Sequence, residues 1–265
     1  MSLSRVKKEY QIPRGRLVFF PLKADGTLAG GRQFGNCPGF SLSVEGEKAP
    51  HYSSQGGIRE KDEEVLVEVV RKASLTTDNI SGFCLGLFLS GEVGTLSQTE
   101  GSVTAEEITV FKGLIYQLGV TTALPTGVRN ISAVTVTNDA ETPVTYEAGK
   151  DYELDPALGM LQIVAGGSIT DNSKIKVAYT RPASSWEHIK SGNSAEVKGA
   201  LKLIADNAHG TNRDWWFPSV SLSPSGELPL IQEGNEYSQI ALDVEVLKPT
   251  NGEAVYVDGR AAAIP

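Results

Sequence analysis

Residues 40–75 read FSLSVEGEKAPHYSSQGGIREKDEEVLVEVVRKASL. The first part, Phe40–Glu45, alternates apolar and polar residues, and the last part, Glu64–Val70, is rich in valine. Alternation with a period of two and an excess of β-branched residues both favour β-strands with one buried face. The polar segment His51–Glu63 between them is longer than a tight hairpin turn needs. The stretch therefore predicts two long strands separated by a charged excursion.

The same alternation of apolar and polar residues recurs nearer the end of the chain, in Val197–Ala205 and Ile240–Leu247. With shorter strands around them, these segments predict a mainly β protein whose long strands span about 40–48, 64–73, 197–205 and 238–247. Between the second and third of them, Ile80–Leu89 places apolar residues at helical spacing and predicts one short flanking α-helix. Its cap is expected among residues 74–79, and its end at Gly91.

Residues 112–182 differ from the rest, because short strand-like segments follow one another at regular spacing with turn residues between them. This pattern is typical of a small β-sandwich, here an Ig-like insertion. Residues 92–110 are polar, without clear periodicity, and are expected to be a loop that ends in a strand start at Ile108–Val110. We therefore predict a discontinuous first domain, 1–111 and 183–265, that carries an inserted module at 112–182.

The net charge is −8, but the N-terminal arm is basic. A basic arm on an acidic body suits nucleic acid, a membrane or the acidic surface of an identical neighbour, and the lack of interleaved aromatic residues disfavours nucleic acid. No apolar run is long enough to span a membrane, and no signal core precedes the arm. Cys37 and Cys84 lack paired spacing, which favours two free, buried thiols over a disulfide.

The outward positions of the predicted strands are polar, and mostly acidic among the charged residues. Two interpretations stay open, a solvated sheet face and the lining of a channel. These lumen-facing candidates are Ser41, Ser43, Glu45, Glu64, Glu68, Lys72, Lys198, Lys202, Asp243 and Glu245.

A search for chemistry predicts no catalytic residue, metal site or cofactor, because the histidines lack partners and no catalytic motif is present. Asp206–Asp214 is expected to be a turn whose Asn and Asp side chains bond the local backbone, rather than a calcium loop. Trp215 and Trp216 would point to opposite faces of a strand, and two interpretations stay open: one faces the core and the other a partner, or both belong to core or loop packing. We therefore expect a protein that is not an enzyme.

Self-association is the preferred interpretation of the remaining polar and aromatic positions. The charged excursion is open to two interpretations, a solvated loop or a docking segment, and its mixture of charges suits docking onto a complementary neighbour. The inter-subunit candidates are Arg5, Lys7, Lys8, Arg14, Gln55, Gly56, Arg59, Glu60, Lys61, Asp62, Trp215 and Trp216.

Three segments resemble the major tail tube proteins of long-tailed bacteriophages. They are 34–80, with HYSS before the charged excursion; 197–220, with ADNAHG and WFP; and 222–246, with LSPSGEL. In the insert, GKDYELD (149–155) and VAYT (177–180) are similar to a small β module of phage virion proteins. That insert departs from the shortest tube proteins.

The resemblance implies a structural protein of the virion tail, made in the host bacterial cytoplasm. Homo-hexameric rings would stack by helical assembly, and each subunit would contribute long strands to a shared β-barrel. The acidic faces would line the lumen and let viral DNA pass during ejection without specific binding. The implied partners are other copies of the chain, the tape measure protein, the tail terminator and the baseplate or tip. The insert would lie on the tube exterior.

Two other classes compete with this interpretation. One is a β-sandwich binding or adhesion module, which the insert favours. The other is a different ring-forming tail or neck component, or a secretion-tube subunit. The paired long strands and the charged excursion favour the tail tube.

Overall fold

The computed structural model describes residues 8–192 and 196–260. The protein is mainly β, with 53% of residues in strands and 3% in helix, which confirms the predicted fold class. The chain forms two compact units, one comprising Met1–Val93 and Ile189–Pro265 and the other Gly94–His188. The second unit begins before residue 112 and ends after residue 182, so it is larger than the module predicted from sequence.

The elements follow one another in this order: β1 (Gly15–Pro21), β2 (Arg32–Gln33), β3 (Gly39–Ser53), β4 (Glu60–Thr77), α1 (Gly82–Phe88), β5 (Glu92–Gln98), β6 (Gly101–Val110), β7 (Ile115–Gln117), β8 (Ser132–Asn138), β9 (Tyr152–Asp155), β10 (Met160–Ile163), β11 (Ser173–Arg181), β12 (Ser184–Lys190), β13 (Val197–Ala205), β14 (Arg213–Ser225), β15 (Ile240–Val246) and β16 (Tyr256–Gly259).

The first unit is built on one antiparallel sheet with the strand order β2-β1-β13-β14-β15-β4-β3, and β16 pairs with the first part of β14. Alternate residues of these strands point to a common core because side chains on a strand alternate between faces. Phe19, Leu75, Phe217 and Leu242 are buried in that core, and the ring of Phe40 meets Phe217 edge-on at 5.9 Å. The long strand β14 separates β13 from β15, so the four predicted long strands are not all neighbours.

The charged excursion is mostly strand. β3 continues to Ser53 and β4 begins at Glu60, which leaves a six-residue connection, 54–59, instead of the predicted 51–63. His51 lies opposite Glu63 in the ladder. The sequence prediction was wrong because it took polarity as a sign of a loop. A hairpin that projects into solvent exposes both faces, and its strands can then be polar throughout.

The helix α1 is shorter than predicted, and it lies against β14 and β15. Its N-cap is Ser81, whose side chain accepts a hydrogen bond from the Cys84 N–H at 3.3 Å. The predicted cap region 74–79 instead forms the end of β4 and the first residues of the connection after it. Ser90 takes the left-handed conformation, with φ of 48°, and Gly91 N–H donates to Gly86 O at 2.7 Å, which closes the helix.

The two cysteines are free thiols near the start of α1, as predicted, although only Cys84 is fully buried. The Cys84 thiol donates to Phe34 O at 3.7 Å. Burial is the main cause that raises the pKa of Cys37 to about 11. Both thiols therefore stay protonated and weakly nucleophilic near neutral pH.

The second unit contains two three-stranded sheets, β7-β10-β9 and β6-β11-β8, around a core of its own. β6 lies in the region predicted as loop, because its apolar residues Val103 and Ile108 are too far apart to give a simple alternation. A shift in the register with β11 next to Tyr179 explains this irregular pattern. β5 pairs with β12 in a separate two-stranded sheet.

Candidate functional site: a polar sheet face and a projecting ribbon

Two polar rows cross the first unit's sheet on the face opposite to the core. The register places Ser43, Lys72, Glu245, Ser221 and Lys198 in one row across β3, β4, β15, β14 and β13. The neighbouring row contains Ser41, Ser74, Asp243 and Ser223. Glu196, which directly precedes β13, accepts a hydrogen bond from Ser221 Oγ at 3.2 Å. Five strands thus combine into one continuous polar surface.

This surface is concave and acidic at its centre. Its central depression has a volume of about 530 Å³ and is lined by Ser41, Ser43, Lys72, Glu196, Asp243 and Glu245 among others. The lining carries three carboxylates and one ammonium group, a formal charge of −2. Ser74, Ser221, Ser223 and Glu196 were missed as members of this face. The alternation of Val220 and Leu222 with serines could have revealed that β14 contributes to it.

Most of the other predicted lumen-facing residues share this face. Glu45 follows Ser43 by two residues on β3, and Glu68 lies opposite Glu47 farther out on β4. Lys202 follows Lys198 by four residues on β13 and lies opposite Trp216 of β14. Glu45 and Glu68 therefore extend the polar face outward along β3 and β4, and Lys202 extends it along β13.

Glu64 does not belong to this face. Glu68 lies opposite Glu47, but the next pair in the ladder is Leu66 with Lys48, so Val67 is an extra residue on β4. Such a bulge moves every following side chain of its strand to the other face. Lys48 Nζ lies 2.8 Å from Glu64 Oε2, which is consistent with this placement. The prediction for Glu64 was wrong because a simple count by two cannot reveal an inserted residue.

The second feature is the ribbon, which we define as residues 44–69, the outer part of the β3–β4 hairpin. Every residue of the ribbon except Ser53 is exposed. Its exposed side chains include large apolar ones: Val44, Ile58, Val65, Leu66, Val67 and Val69 are between 41% and 79% accessible. An isolated two-stranded hairpin is only marginally stable in water, and exposed apolar patches mark interaction sites.

Charged and aromatic contacts brace the ribbon near its tip. His51 Nδ1 lies 2.5 Å from Asp62 Oδ1, and the guanidinium of Arg59 lies 4.4 Å from the centre of the Tyr52 ring. Glu64 contacts both Lys48 and Lys61, and hydrogen bonding to Lys48 is the main cause that lowers its pKa to about 2. The tip therefore has a defined structure although none of it is buried.

The structure places the inter-subunit candidates in three regions. Gln55, Gly56, Arg59, Glu60, Lys61 and Asp62 all lie at the exposed tip of the ribbon. Lys8 is exposed, and Arg14 is held by hydrogen bonds from its N–H to Asn207 and from its guanidinium to Pro13 O. Arg5 and Lys7 lie outside the described residues.

Trp215 and Trp216 point to opposite faces of β14. Trp215 packs against the core and stacks on Phe217 at 6.4 Å. Trp216 lies on the other face, where its ring meets Phe20 edge-on at 5.6 Å. Both rings are partly accessible, and Trp216 is the one on the side of the polar face.

The segment Asp206–Asp214 forms the predicted turn. Asn212 Oδ1 accepts a hydrogen bond from the Asn207 N–H at 2.7 Å, and Asp214 Oδ1 accepts one from the Ala205 N–H at 2.8 Å. Gly210 has φ of 95°, a conformation that favours glycine. Within residues 8–192 and 196–260, no group of three or more His, Cys, Asp or Glu side chains is arranged to hold a metal ion.

The fold and these surfaces define a class of protein: a mainly β chain with an exposed, braced ribbon and a concave acidic sheet face. Residues 10–255 match the family described as "Protein of unknown function UCP028589", and the chain belongs to that family. No curated protein matches the chain. No helix in the described ranges has the length and apolarity needed to span a membrane.

Proposed function

We propose that this protein is a structural subunit that assembles with copies of itself into stacked rings, forming a hollow tube of the phage tail tube type. The observation that carries this proposal is the ribbon. It projects from the core, exposes both faces and carries apolar side chains that a monomer leaves in water. Burying those side chains against neighbouring subunits would stabilise the assembly by roughly 25 cal/mol per Å² of apolar area removed from water.

The edge of the sheet supports the same proposal. β3 is the last strand of the sheet, and its outer side carries a long row of backbone groups without a neighbouring strand in the described chain. Long edge strands favour pairing with another chain, and closing strands from several subunits into one barrel removes the edges. A head-to-tail contact between subunits produces a ring when its repeated rotation brings the last subunit back to the first. A second head-to-tail contact, whose rotation does not close, stacks the rings.

The polar face supports a role for the tube as a conduit. A tube that passes DNA must not hold it, and DNA is held mainly by lysine and arginine contacts to phosphate. The centre of the polar face has more carboxylates than ammonium groups. If this face lines the lumen, it repels the phosphate backbone and lets DNA slide.

The test is direct imaging of assembly. Purified protein would be examined across a concentration series by sedimentation velocity and negative-stain electron microscopy, together with a variant lacking Gly56–Glu63 at the ribbon tip. We expect rings or hollow tubes of uniform bore from the intact chain, and subunits that no longer polymerise from the variant. Tubes of normal length from the shortened chain would contradict the proposal, as would an intact chain that stays monomeric at every concentration.

A further inference from the structure

A second exposed apolar surface lies in the connection between β14 and β15, residues 226–239, which we call the apolar loop. Its side chains Leu230, Ile231 and Tyr237 are 88%, 97% and 87% accessible. The loop is nevertheless folded, because Ser238 Oγ donates to Pro229 O at 3.3 Å and Gln232 Nε2 donates to Glu236 O. Loops of more than about 12 residues are uncommon in compact domains and are often functional.

The ribbon presents a matching surface on one of its two faces. Its core-side face is the continuation of the face that buries Ala73 and packs the half-buried Leu42 against the core farther along the same strands. Val44, Val69 and Leu66 follow on that face beyond the core. A Cβ atom on Gly46 would come within 2.7 Å of Leu66 Cδ1, so Leu66 lies across the glycine. The result is an apolar stripe that the core no longer covers.

The charges of the two surfaces are complementary. The apolar loop carries Glu227, Glu233 and Glu236 and contains no lysine, arginine or histidine. The core-side face of the ribbon carries the Lys48–Glu64 ion pair, and Arg71 lies on the same face just beyond the ribbon, while Glu45, Glu47 and Glu68 lie on the opposite face. An acidic apolar loop therefore suits the core-side stripe and not the acidic face behind it.

The two surfaces of one chain cannot meet. The apolar loop ends at Ile240, which lies opposite Thr77. From there the ribbon surface begins eight residues along β4, at Val69, and at about 3.4 Å per residue the separation is about 27 Å or more. The loop and the stripe lie toward opposite ends of the same strands. A second copy of the chain can supply the missing surface to each of them.

We propose that the apolar loop of one copy docks onto the core-side face of the ribbon of the next copy. This contact is head-to-tail along the strands and leaves one free surface at each end, so it repeats as an open stack when the rotation between copies does not close. The inference rests on the proposed function in one respect, since it assigns this contact to the stacking of rings.

The test uses two variants of the full chain, Ile231→Asp in the loop and Leu66→Asp in the ribbon. Both side chains are exposed, so each variant is expected to fold, which thermal unfolding followed by circular dichroism would verify. Leu158→Asp is the matched control, because Leu158 is similarly exposed but lies in the second unit. Assembly would be followed by sedimentation velocity and negative-stain microscopy.

We expect each variant alone to lose longitudinal growth, with tubes at least tenfold shorter or absent, while the control grows like the unaltered chain. A mixture of the two variants should form discrete pairs of rings, because the intact loop of the Leu66→Asp copies can dock on the intact ribbon of the Ile231→Asp copies. Normal tubes from Ile231→Asp would overturn the docking contact and leave the proposed function standing.

Two other results separate the proposals. Linear strings from the unaltered chain without rings or hollow tubes, lost in both variants, would support the docking contact and overturn the proposed function. An unaltered chain that stays monomeric at every concentration would overturn both.

Discussion

Lys48 Nζ lies 2.8 Å from Glu64 Oε2, on the face of the ribbon opposite to Glu68. The extra residue Val67 brings this about, since it changes the side to which the outer part of β4 points. The two faces of the ribbon consequently differ: Glu45, Glu47 and Glu68 continue the polar face on one side, and Val44, Leu66, Val69 and the Lys48–Glu64 ion pair lie on the other. The Lys48–Glu64 ion pair, although it lies at the surface, thus indicates on which face of the ribbon Glu64 lies.

The first prediction concerns the titration of Glu64. Its hydrogen bonds to Lys48 and Lys61 favour the carboxylate, so the pKa is lowered from 4.5 to about 2. A group whose pKa is lowered on folding stabilises the folded form above its ordinary pKa, and this contribution is lost as the pH falls through the lowered value. The relevant window is therefore about pH 4.5 to 2.

The measurement is a carbon-detected NMR titration of the Glu64 side chain in the unaltered chain and in Lys48→Met. We expect the midpoint to rise toward 4.5 in the variant, because the first of its two ammonium partners is removed. A Glu64 midpoint near 4.5 in the unaltered chain would show that the ion pair does not form in solution.

Much of the first unit's sheet could be predicted from the sequence. In β15, Ile240, Leu242, Val244 and Val246 are buried and alternate with exposed or half-exposed residues, so a pattern of period two is enough to place it. β14 was harder, because its register with β13 shifts between Gly199 and Leu201 and its apolar residues change parity there. Bulges depend on pairing with a partner strand, and the order of residues in one strand does not reveal them.

The candidate site was predictable to the same extent. Most residues of the polar face on β3, β4, β13 and β15 were found from alternation, whereas those on β14 were missed and Glu64, which lies beyond the bulge, was misplaced. The apolar loop was not found at all, because Leu230 and Ile231 read as ordinary loop residues until their exposure is known. Exposure results from the packing of the whole chain, so a local pattern carries no signal for it.

The second prediction tests the charge of the polar face. Glu68→Lys together with Asp243→Lys changes the net charge from −8 by +4 to −4 and puts two ammonium groups on that face. We expect the double variant to bind DNA at low salt and to lose it as salt rises, since counterion release drives such contacts. Fluorescence anisotropy with a labelled duplex would measure this, and assembly into tubes should be unchanged.

The matched control for this experiment is Glu141→Lys with Glu153→Lys, which changes the net charge equally at exposed positions of the second unit. Equal DNA binding by both double variants would mean that net charge alone determines the affinity for DNA, and that the position of the charges on the polar face has no effect.

The third prediction concerns Asp151, a carboxylate with only 3% of its surface exposed. It accepts backbone hydrogen bonds from the N–H groups of Glu147 at 2.9 Å and Ser168 at 2.7 Å, and these bonds lower its pKa. Asp151→Asn should lower the melting temperature of the second unit by several degrees, because an amide nitrogen can then face a backbone donor. Differential scanning calorimetry of the full chain would measure the change.

Glu153→Gln is the control for Asp151, because Glu153 is an exposed residue of the neighbouring strand β9. The difference between unaltered chain and Asp151→Asn should also shrink as the pH falls below the ordinary pKa of 3.8, since the carboxylate is then progressively protonated. A difference that does not change with pH would contradict the role of the charge.

The fourth prediction concerns the buried Tyr179 and its half-buried partner Glu106 in the second unit. The Tyr179 hydroxyl donates to Glu106 Oε2 at 2.7 Å, and Glu106 also accepts from the Gly119 N–H at 2.9 Å. Burial first, and then Glu106, raise the pKa of Tyr179, so its hydroxyl stays protonated as a donor. Tyr179→Phe should therefore cost about 1.5–3 kcal/mol of unfolding free energy, as expected for losing a hydrogen bond to a charged group.

Urea unfolding followed by circular dichroism would measure this loss, with Tyr146→Phe as the control. Tyr146 packs against the same core, and its hydroxyl makes no hydrogen bond within the described chain. Glu106→Gln should cost less than Tyr179→Phe, because the amide oxygen can still accept from the hydroxyl or from the Gly119 N–H. A Tyr179→Phe variant as stable as Tyr146→Phe would show that the Glu106 carboxylate finds another donor, such as water, when the hydroxyl is removed.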